Sequence, residues 1–384
     1  MKLSDKLTIH KPNISSREFF SLNEGIKCVH YGDIYKNYSG KTVLSSRIIN
    51  SFINDVSPDR LLRCDSIIVP DVTETVSDWG HFTYIQYDGT PYFNGTHAIA
   101  LTSDSTDELR YLFRYLASDT NRKRLQSLLN GSTVFQISVK DFNGFLLDNY
   151  HESQEVQRHI VDILGTLDDR IENCNNQIQK LNSLIALLFN SFNAKDCKKD
   201  YLKNLCSVIT KGTTPTTINK DFVKSGIPFI KVESLTENHQ VDDSKLAYID
   251  EETNELLQRS KIRYKDCLVS IAGTIGRFAL LPAHIGNANT NQAIAILRAK
   301  DIAPEYLYAI FLSGICNEQI KAKTVQAVQA NLSLSVIGSL EVPIIMDQTF
   351  LTQLYQSYEL IEHLLNTSRT LRKLKEIYLK KFFG

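Results

Sequence analysis

Two long stretches of the chain place an apolar residue at every third or fourth position. In the first, residues 152–192, the apolar positions are separated by steps of 4, 3, 4, 4, 3, 4, 3, 4, 3 and 4 residues. Such steps keep the apolar side chains along one side of a helix, and a run of this length predicts a coiled-coil seam. The seam comprises Val156, Ile160, Ile163, Leu167, Ile171, Cys174, Ile178, Leu181, Ile185, Leu188 and Phe192.

The second stretch begins after Pro343 and repeats the pattern less regularly. Its apolar positions are Leu351, Leu354, Tyr358, Ile361, Leu365, Leu371, Leu374 and Tyr378. A helix of about 40 residues buries only a narrow stripe by itself and needs a partner along its length. We expect the two helices to pair with each other in antiparallel orientation. The alternatives are a helix pair buried in a larger core and a seam that dimerises two chains.

The sequence outside these helices is also repeated, at a shift of about 200 residues. Residues 25–29, Gly-Ile-Lys-Cys-Val, align with residues 226–230, Gly-Ile-Pro-Phe-Ile, and the same offset of 201 aligns Asp65 with Asp266. Residues 97–101 align with residues 292–296 at an offset of 195. Because a long helical pattern follows each copy, the sequence predicts one unit and one helix, repeated.

Each unit mixes strand and helix patterns. Short runs rich in β-branched and aromatic residues are bounded by Gly, Asp, Asn and Pro, and helical periodicity returns at residues 107–129 and 304–326. We therefore predict an α+β protein in which two pseudo-symmetric mixed α/β domains are joined by two long antiparallel coiled-coil helices. The predicted domains are residues 1–150 and 194–343, and the predicted helices are residues 151–193 and 344–384.

Composition narrows the class of protein. The 384 residues are 42% hydrophobic and 22% charged, and no apolar run approaches the roughly 20 residues that span a bilayer. The N-terminus lacks the apolar core of a signal peptide, so we expect a cytoplasmic protein with no membrane partner. Seven scattered cysteines without a Cys-x-x-Cys pair indicate reduced thiols. Lys+Arg and Asp+Glu are both 43, which taken alone argues against a protein that grips nucleic acid mainly through phosphates.

Catalytic motifs are missing from the sequence. Residues 39–42, Ser-Gly-Lys-Thr, imitate the end of a phosphate-binding loop, but Tyr35 stands where that motif requires glycine. The nine histidines are dispersed and do not form a metal-ligand set. The chain also has no Pro-Pro pair, which the base-holding segment of an amino-methyltransferase would need. We therefore expect no catalytic residue, metal or cofactor in this chain.

Several segments, taken in order, resemble the specificity (S) subunit of type I restriction-modification systems. Residues 154–172, QEVQRHIVDILGTLDDRIE, are similar to the start of that family's central conserved helix, and residues 342–348, VPIIMDQ, to the lead-in to its distal conserved helix. The second unit is similar to the family's commonest recognition-domain skeleton through KGTTP at 211–215, GIPFI at 226–230, AGTIGR at 272–277 and NQAI at 291–294. The first unit departs from it, with VPDVT at 69–73 in place of the turn that presents Arg277.

The resemblance implies a non-catalytic subunit that recognises DNA sequence. Each globular unit would be a target recognition domain reading one half of a bipartite DNA target, while the helical pair would set the gap and dock methyltransferase subunits. The implied partners are double-stranded DNA, two methyltransferase subunits and restriction/translocase subunits. The complex would be an N6-adenine DNA methyltransferase and ATP-dependent endonuclease, with S-adenosylmethionine, ATP and Mg bound by the partner subunits.

Base discrimination requires side chains that match the base edges, such as Arg or Lys for guanine, Asn or Gln for adenine and Thr for the thymine methyl. In the second unit the candidate DNA-binding residues are Lys211, Thr213, Thr214, Lys231, Arg277, Asn289 and Asn291. In the first unit they are Tyr31, Lys36, Tyr38, Lys41, Arg47 and His81. The candidate contacts to methyltransferase subunits are Ile160, Leu167, Ile171, Ile178, Leu354, Ile361 and Leu365. A polar turn followed by a buried strand is the alternative interpretation of the Asn-rich run at 287–292.

Two other functions fit the same repeat. The chain could be a two-headed coiled-coil scaffold or interaction protein that does not bind DNA. It could also be the specificity subunit of a methyltransferase outside type I restriction. The order of the repeated segments favours the type I interpretation.

Overall fold

The computed structural model describes residues 1–192, 197–324 and 332–384. Within these ranges the chain forms two compact units, Met1–Ile171 with Arg369–Gly384, and Glu172–Ser368. Two long helices, Gln154–Ser191 and Gln348–Phe383, contribute to both units. These helices lie within the predicted segments 151–193 and 344–384, whereas the unit borders fall inside the helices. The predicted division into four segments therefore stays a prediction.

The first unit contains short strands and all or part of six α-helices among the described residues. Its strands are β1 Thr8–His10, β2 Phe20–Ser21, β3 Ile26–Val29, β4 Thr42–Leu44, β5 Ser51–Phe52, β6 Ser66–Pro70, β7 Val72–Thr73, β8 Thr83–Gln86, β9 Tyr92–Asn94, β10 Ala98–Thr102 and β11 Phe135–Gln136. Its helices are α1 Tyr31–Asp33, α2 Thr106–Ala117, α3 Asp119–Gln126, α4 Val139–Asn143, the first part of α5 Gln154–Ser191 and the last part of α10 Gln348–Phe383. A π-helical turn, Ile34–Tyr38, continues α1.

Two larger sheets organise this unit, and β7 and β11 form a separate two-stranded sheet. The larger has the strand order β1-β10-β6-β8-β4, and the smaller has the order β2-β5-β3-β9. Side chains alternate between the two faces of the large sheet, as a strand requires. Ile67 and Val69 pack with α2 and the start of α5, while Ile68 packs on the opposite face with Val29 and Tyr92. The large sheet is therefore covered on both faces, by helices on one side and by the smaller sheet on the other.

The second unit has the same plan. Its strands are β12 Lys199–Tyr201, β13 Cys206–Lys211, β14 Ile227–Ile230, β15 Ala247–Ile249, β16 Cys267–Ser270, β17 Phe278–Leu280, β18 Asn289–Thr290, β19 Ile294–Ala299 and β20 Glu341–Pro343. Its helices are the rest of α5, α6 Glu251–Leu256, α7 Pro304–Leu312, α8 Ile315–Thr324, α9 Leu334–Gly338 and the first part of α10 Gln348–Phe383.

The strand order of the second unit repeats that of the first, without counterparts of the edge strands β4 and β2. The large sheet is β13-β19-β16-β17 and the small one is β15-β14-β18, in which β14 pairs antiparallel with β15 and parallel with β18. In the first unit β3 likewise pairs antiparallel with β5 and parallel with β9. The predicted offset of 201 places β3 on β14 and Asp65 on Asp266, immediately before β6 and β16. The predicted pseudo-symmetric α+β fold class is confirmed.

Each unit holds the start of one long helix beside the end of the other. In the first unit, Ile160 and Leu164 of α5 share a core with Phe383 of α10, whose ring lies 5.6 Å from the rings of Tyr111 and Tyr115. In the second unit, Phe350 near the start of α10 lies 6.0 Å from Phe189 near the end of α5, centroid to centroid. The two helices are therefore antiparallel, as predicted.

No helix within the described ranges combines the length and the apolar character that a membrane span requires.

Candidate nucleic-acid interface

The topology brings four loops of the first unit to one end of its sheets. His10 at the end of β1 pairs with Ala100 of β10, and Pro70 at the end of β6 pairs with Ala98. The parallel strands β3 and β9 end side by side. The segments that follow these strand ends, residues 11–15, 30–33, 71–73 and 94–97, therefore lie together. We call them the first loop cluster.

The second unit builds an equivalent surface from equivalent connections. The corresponding segments are residues 211–214, 231–234, 271–277 and 290–293, at the ends of β13, β14, β16 and β18. We call them the second loop cluster. Functional residues are often carried by loops on a rigid scaffold. The repeated topology therefore marks these two clusters as the candidate site.

Side-chain hydrogen bonds hold the first loop cluster in shape. The Asn13 amide donates to the Asn94 carbonyl oxygen at 2.9 Å and to its Oδ1 at 3.0 Å. The Ser15 backbone N–H donates to Thr96 Oγ1 at 2.9 Å, and the buried Asn94 amide donates to the Ala98 carbonyl oxygen at 2.7 Å. These bonds tie the segment after β1 to the loop between β9 and β10.

Two histidines and a tyrosine stand together in the first loop cluster. His97 Nδ1 lies 2.9 Å from Asp71 Oδ1, and the ring of Tyr31 meets the His97 ring edge-on with centroids 5.6 Å apart. Tyr31 also lies 4.6 Å from the ring of His30. Burial lowers the pKa of His30, and the positive charge of Arg17 lowers it further.

The second loop cluster depends on a close backbone approach. The Thr213 N–H donates to the Thr290 carbonyl oxygen at 3.1 Å, and Gly212 passes directly beside that carbonyl. Thr214 Oγ1 hydrogen-bonds Gln292 Oε1, and the Ala293 N–H donates to Asn291 Oδ1 at 3.1 Å. The cluster therefore presents hydroxyl and amide groups whose positions are fixed by the backbone.

The second loop cluster contains the basic side chains of Lys211, Lys231 and Arg277. Lys211 is exposed at the end of β13. Lys231 Nζ lies 4.6 Å from the centre of the Phe222 ring and 3.9 Å from Glu233 Oε1. Arg277 donates to the Leu235 carbonyl oxygen and to Glu237 Oε1, both at 3.2 Å. Arg277 therefore fastens the loop that contains Glu237, while Lys211 is open to solvent.

One predicted base reader of the second unit lies inside the protein. Asn289 is fully buried on β18, where its amide donates to Asn254 Oδ1 at 3.2 Å and to the Leu257 carbonyl oxygen at 3.3 Å. Its Oδ1 accepts the Thr290 N–H at 2.9 Å. Its polar atoms are thus occupied within the unit, whereas Thr213, Thr214 and Asn291 are half-buried at the surface.

Of the first-unit candidates, the structure places only Tyr31 in the first loop cluster. Lys36 is exposed on the π-helical turn, and Tyr38 is buried, its hydroxyl accepting the Ile49 N–H at 2.7 Å. The exposed Lys41 and Arg47 flank the edge strand β4. The last candidate, His81, lies 2.9 Å from an Arg122 nitrogen beside α3, and its pKa is lowered by burial and by Arg122.

His30, Asp71 and His97 also lie in the first loop cluster, although they were not among the predicted DNA-binding residues. The internal repeat contained a signal for two of them, because the offset of 201 aligns His30 with Lys231 and the offset of 195 aligns His97 with Gln292. Asp71 had no such signal, since its role depends on a contact made across two strands.

The helix residues predicted to contact methyltransferase subunits are packed inside this chain. Of the seven, Leu365 is half-buried and the others are buried, namely Ile160, Leu167, Ile171, Ile178, Leu354 and Ile361. Exposed apolar side chains occur elsewhere on α5, where Leu184 is 46% exposed and Leu187 is 68% exposed.

No group of three or more His, Cys, Asp or Glu side chains in the described ranges is arranged to hold a metal ion. All seven cysteines are free thiols.

Comparison with known proteins identifies the repeat. A family model described as "Type I restriction modification DNA specificity domain" matches the chain twice, over residues 2–183 and 195–367. The type I restriction enzyme EcoBI specificity subunit of Escherichia coli is 29% identical over 126 residues, which are 32% of this chain and 26% of that protein. The matched region thus spans about a quarter of that relative's length.

A solved structure shares the fold. The crystal structure of a type I restriction-modification system S subunit from M. genitalium is similar over 100% of this chain and 95% of that chain, with a TM-score of 0.56 and 14% identity. At this identity the likeness concerns the fold alone. With two family matches that together cover most of the sequence, the chain belongs to the family of type I restriction-modification DNA specificity proteins.

Proposed function

We propose that this chain is the DNA sequence-recognition subunit of a type I restriction-modification complex. The observation that carries the proposal is the pair of loop clusters, built from equivalent connections in two units of the same topology. Each cluster reads one half of a bipartite DNA target. The chain is not itself an enzyme, because the chemistry belongs to partner subunits that bind S-adenosylmethionine, ATP and Mg.

The side chains of the second loop cluster suit contacts in the DNA major groove. The hydroxyl of Thr214 and the amides of Asn291 and Gln292 are polar groups that can pair with base edges, and Lys211 can reach a phosphate or a guanine. The backbone contacts of Gly212 and Thr213 fix the loop that carries them. Lys211, Thr214 and Asn291 are the strongest of the predicted DNA contacts in this unit.

The helical pair sets the gap between the two halves of the target. When one scaffold carries two recognition units, the spacing of the half-sites follows from the geometry of that scaffold. Since the seam residues pack within the chain, docking of two methyltransferase subunits uses exposed side chains such as Leu184 and Leu187. A restriction/translocase subunit joins the same complex.

The isolated chain is expected to bind DNA weakly and without sequence preference. Residues 1–150 carry 16 basic and 17 acidic residues, and residues 194–343 carry 18 and 16, so neither unit has the excess positive charge of a phosphate-binding protein. Partner subunits therefore supply many of the contacts to the DNA phosphates. Fluorescence anisotropy at physiological salt should give a dissociation constant of about 10⁻⁶ M or weaker for any duplex. Tight, sequence-selective binding by the chain alone would contradict this expectation.

A domain exchange tests the proposal directly. The chain is co-expressed with its methyltransferase subunit, and methylated adenines are mapped across the host genome. We expect one split motif, lost when this chain is deleted. Exchange of residues 1–150 for those of a relative should change one half of the motif and leave the other half and the gap unaltered. A motif that persists without the chain would refute the proposal and favour a scaffold that does not bind DNA.

A further inference from the structure

His97 has an unusual backbone and a fixed ring. Its φ angle is +58°, in the left-handed region that non-glycine residues seldom occupy, although histidine enters it more often than most. The backbone is held there because the Asp71 N–H donates to the His97 carbonyl oxygen at 3.1 Å. Such conformations persist where the surrounding structure determines them, and they concentrate at functional sites.

The ring of His97 is oriented from two sides. Asp71 Oδ1 lies 2.9 Å from Nδ1, and Tyr31 packs edge-on against the ring at an interplanar angle of 88°. The carboxylate of Asp71 is largely buried, with a side-chain exposure of 11%, whereas the His97 side chain is 43% exposed. The imidazole is thus anchored at Nδ1, while the side chain remains partly exposed to solvent.

We infer that His97 is the base-reading residue of the first unit and that it accepts a hydrogen bond from the exocyclic amino group of adenine or cytosine. This inference rests on the proposed function and deepens it, because it names the chemistry that the first loop cluster recognises. Asp71 is the positioning residue that sets the tautomer of His97.

The chemistry follows from the contact with Asp71. An ionised carboxylate can only accept a hydrogen bond, so the contact with Asp71 selects the imidazole tautomer that carries its proton on Nδ1 and donates it to the carboxylate. Nε2 then presents a lone pair. In the major groove the amino groups of adenine and cytosine are the base-edge donors, whereas guanine and thymine offer only acceptors there. A fixed acceptor at Nε2 therefore selects amino-bearing bases.

The experiment measures base preference at each position of the first half-site. The complex of this chain with its methyltransferase subunit is given duplexes in which the first half-site is randomised, and methylated products are sequenced. His97→Gly removes the ring and keeps a residue that adopts positive φ without strain. We expect it to flatten the preference at one position and to lower methylation of the cognate duplex roughly 5- to 150-fold. The second half-site should be unaffected.

Asp71→Asn distinguishes a role of Asp71 in setting the tautomer of His97 from a role in folding alone. The asparagine amide can donate to Nδ1, which moves the imidazole proton to Nε2 and turns the acceptor into a donor. We expect the preferred base at that same position to change from an amino-bearing base to guanine or thymine. A merely structural role for Asp71 would lower methylation of every duplex alike, and that result would overturn its assignment as the positioning residue.

A second histidine–aspartate pair supplies the matched control. His284 Nε2 lies 2.8 Å from Asp243 Oδ1 in the second unit, in the connection after β17, at the end of the sheet opposite the second loop cluster. His284→Gln should leave every base preference unaltered. A wild-type motif with unchanged preference in His97→Gly would overturn the inference alone. The absence of any methylated split motif with the wild-type complex would overturn the proposed function and the inference with it.

Discussion

Gly212→Ala is expected to remove recognition of the second half-site. A Cβ atom at this position would lie 2.0 Å from the Thr290 carbonyl oxygen and 2.5 Å from the Asn291 carbonyl oxygen. Both atoms belong to the backbone, so no side-chain rotation can relieve the overlap. The end of β13 must then move away from residues 290 and 291, and the hydrogen bond from the Thr213 N–H to Thr290 is lost.

The displacement would disturb the groups that we propose contact DNA. Thr214 and Asn291 are carried by the two segments that the new methyl group forces apart. Loss of two or more base contacts should reduce methylation of the cognate duplex by at least about 30-fold. Overpacking of this kind should also lower the free energy of unfolding of the second unit by about 1–3 kcal/mol. Methylation assays with the assembled complex and denaturation followed by circular dichroism measure the two effects.

Gly165→Ala is the matched control for this substitution. Gly165 lies inside α5, and a Cβ atom there would meet no atom within 4 Å apart from its chain neighbours and the backbone of its own helix. Alanine is favoured over glycine in a helix interior by about 1 kcal/mol, so the control should be as stable as the wild type or more stable. Wild-type methylation by the Gly212→Ala complex would show that the second loop cluster does not read DNA in the way proposed.

The repeat and the helices could be predicted because they are periodic. The alignment of residues 25–29 with 226–230 placed β3 on β14, and steps of three and four residues placed α5 and α10. Such patterns record which face of an element is buried, and they survive in a single sequence. The same periodicity does not record what covers the buried face. Ile160 and Leu354 were expected to meet partner subunits, but within the chain they already belong to cores of the two units.

Individual site residues were harder to predict because their roles depend on contacts distant in sequence. Asn289 and Asn291 occur in one Asn-rich run. Asn289 is buried on β18, which pairs with β14, and its amide donates to Asn254, whereas Asn291 reaches the surface. In the first unit, Tyr38 satisfies the Ile49 N–H while Tyr31 supports His97. For each of these asparagines and tyrosines, the residue type alone suggested a contact with DNA. Only the fold separates the side chains at the loop clusters from those that complete the core.

Phe350→Ala is expected to weaken the second unit more than any substitution at its surface. Phe350 is 1% exposed, and its ring lies 5.1 Å from Phe192, 6.0 Å from Phe189 and 6.2 Å from Tyr306, centroid to centroid. It therefore joins the start of α10 to the end of α5 and to α7. Removing a buried phenylalanine side chain lowers the free energy of unfolding by about 3–5 kcal/mol, because apolar contacts are lost and a cavity remains.

Hydrogen exchange should show where that stability is lost. Amides in residues 172–192 and 348–368 are expected to exchange faster in Phe350→Ala. Local opening of these segments costs less free energy in the variant, because the ring contacts of Phe350 are already absent. Leu360→Ala, on the same helix at a side chain that is 46% exposed, should change the free energy of unfolding by no more than about 0.5 kcal/mol. Residues 1–150 should keep their protection in both variants, because the first unit has its own core. A change below about 1 kcal/mol in Phe350→Ala would mean that this aromatic cluster does not hold the two helices together in the second unit, and the proposed gap-setting role of the helical pair would lose its support there.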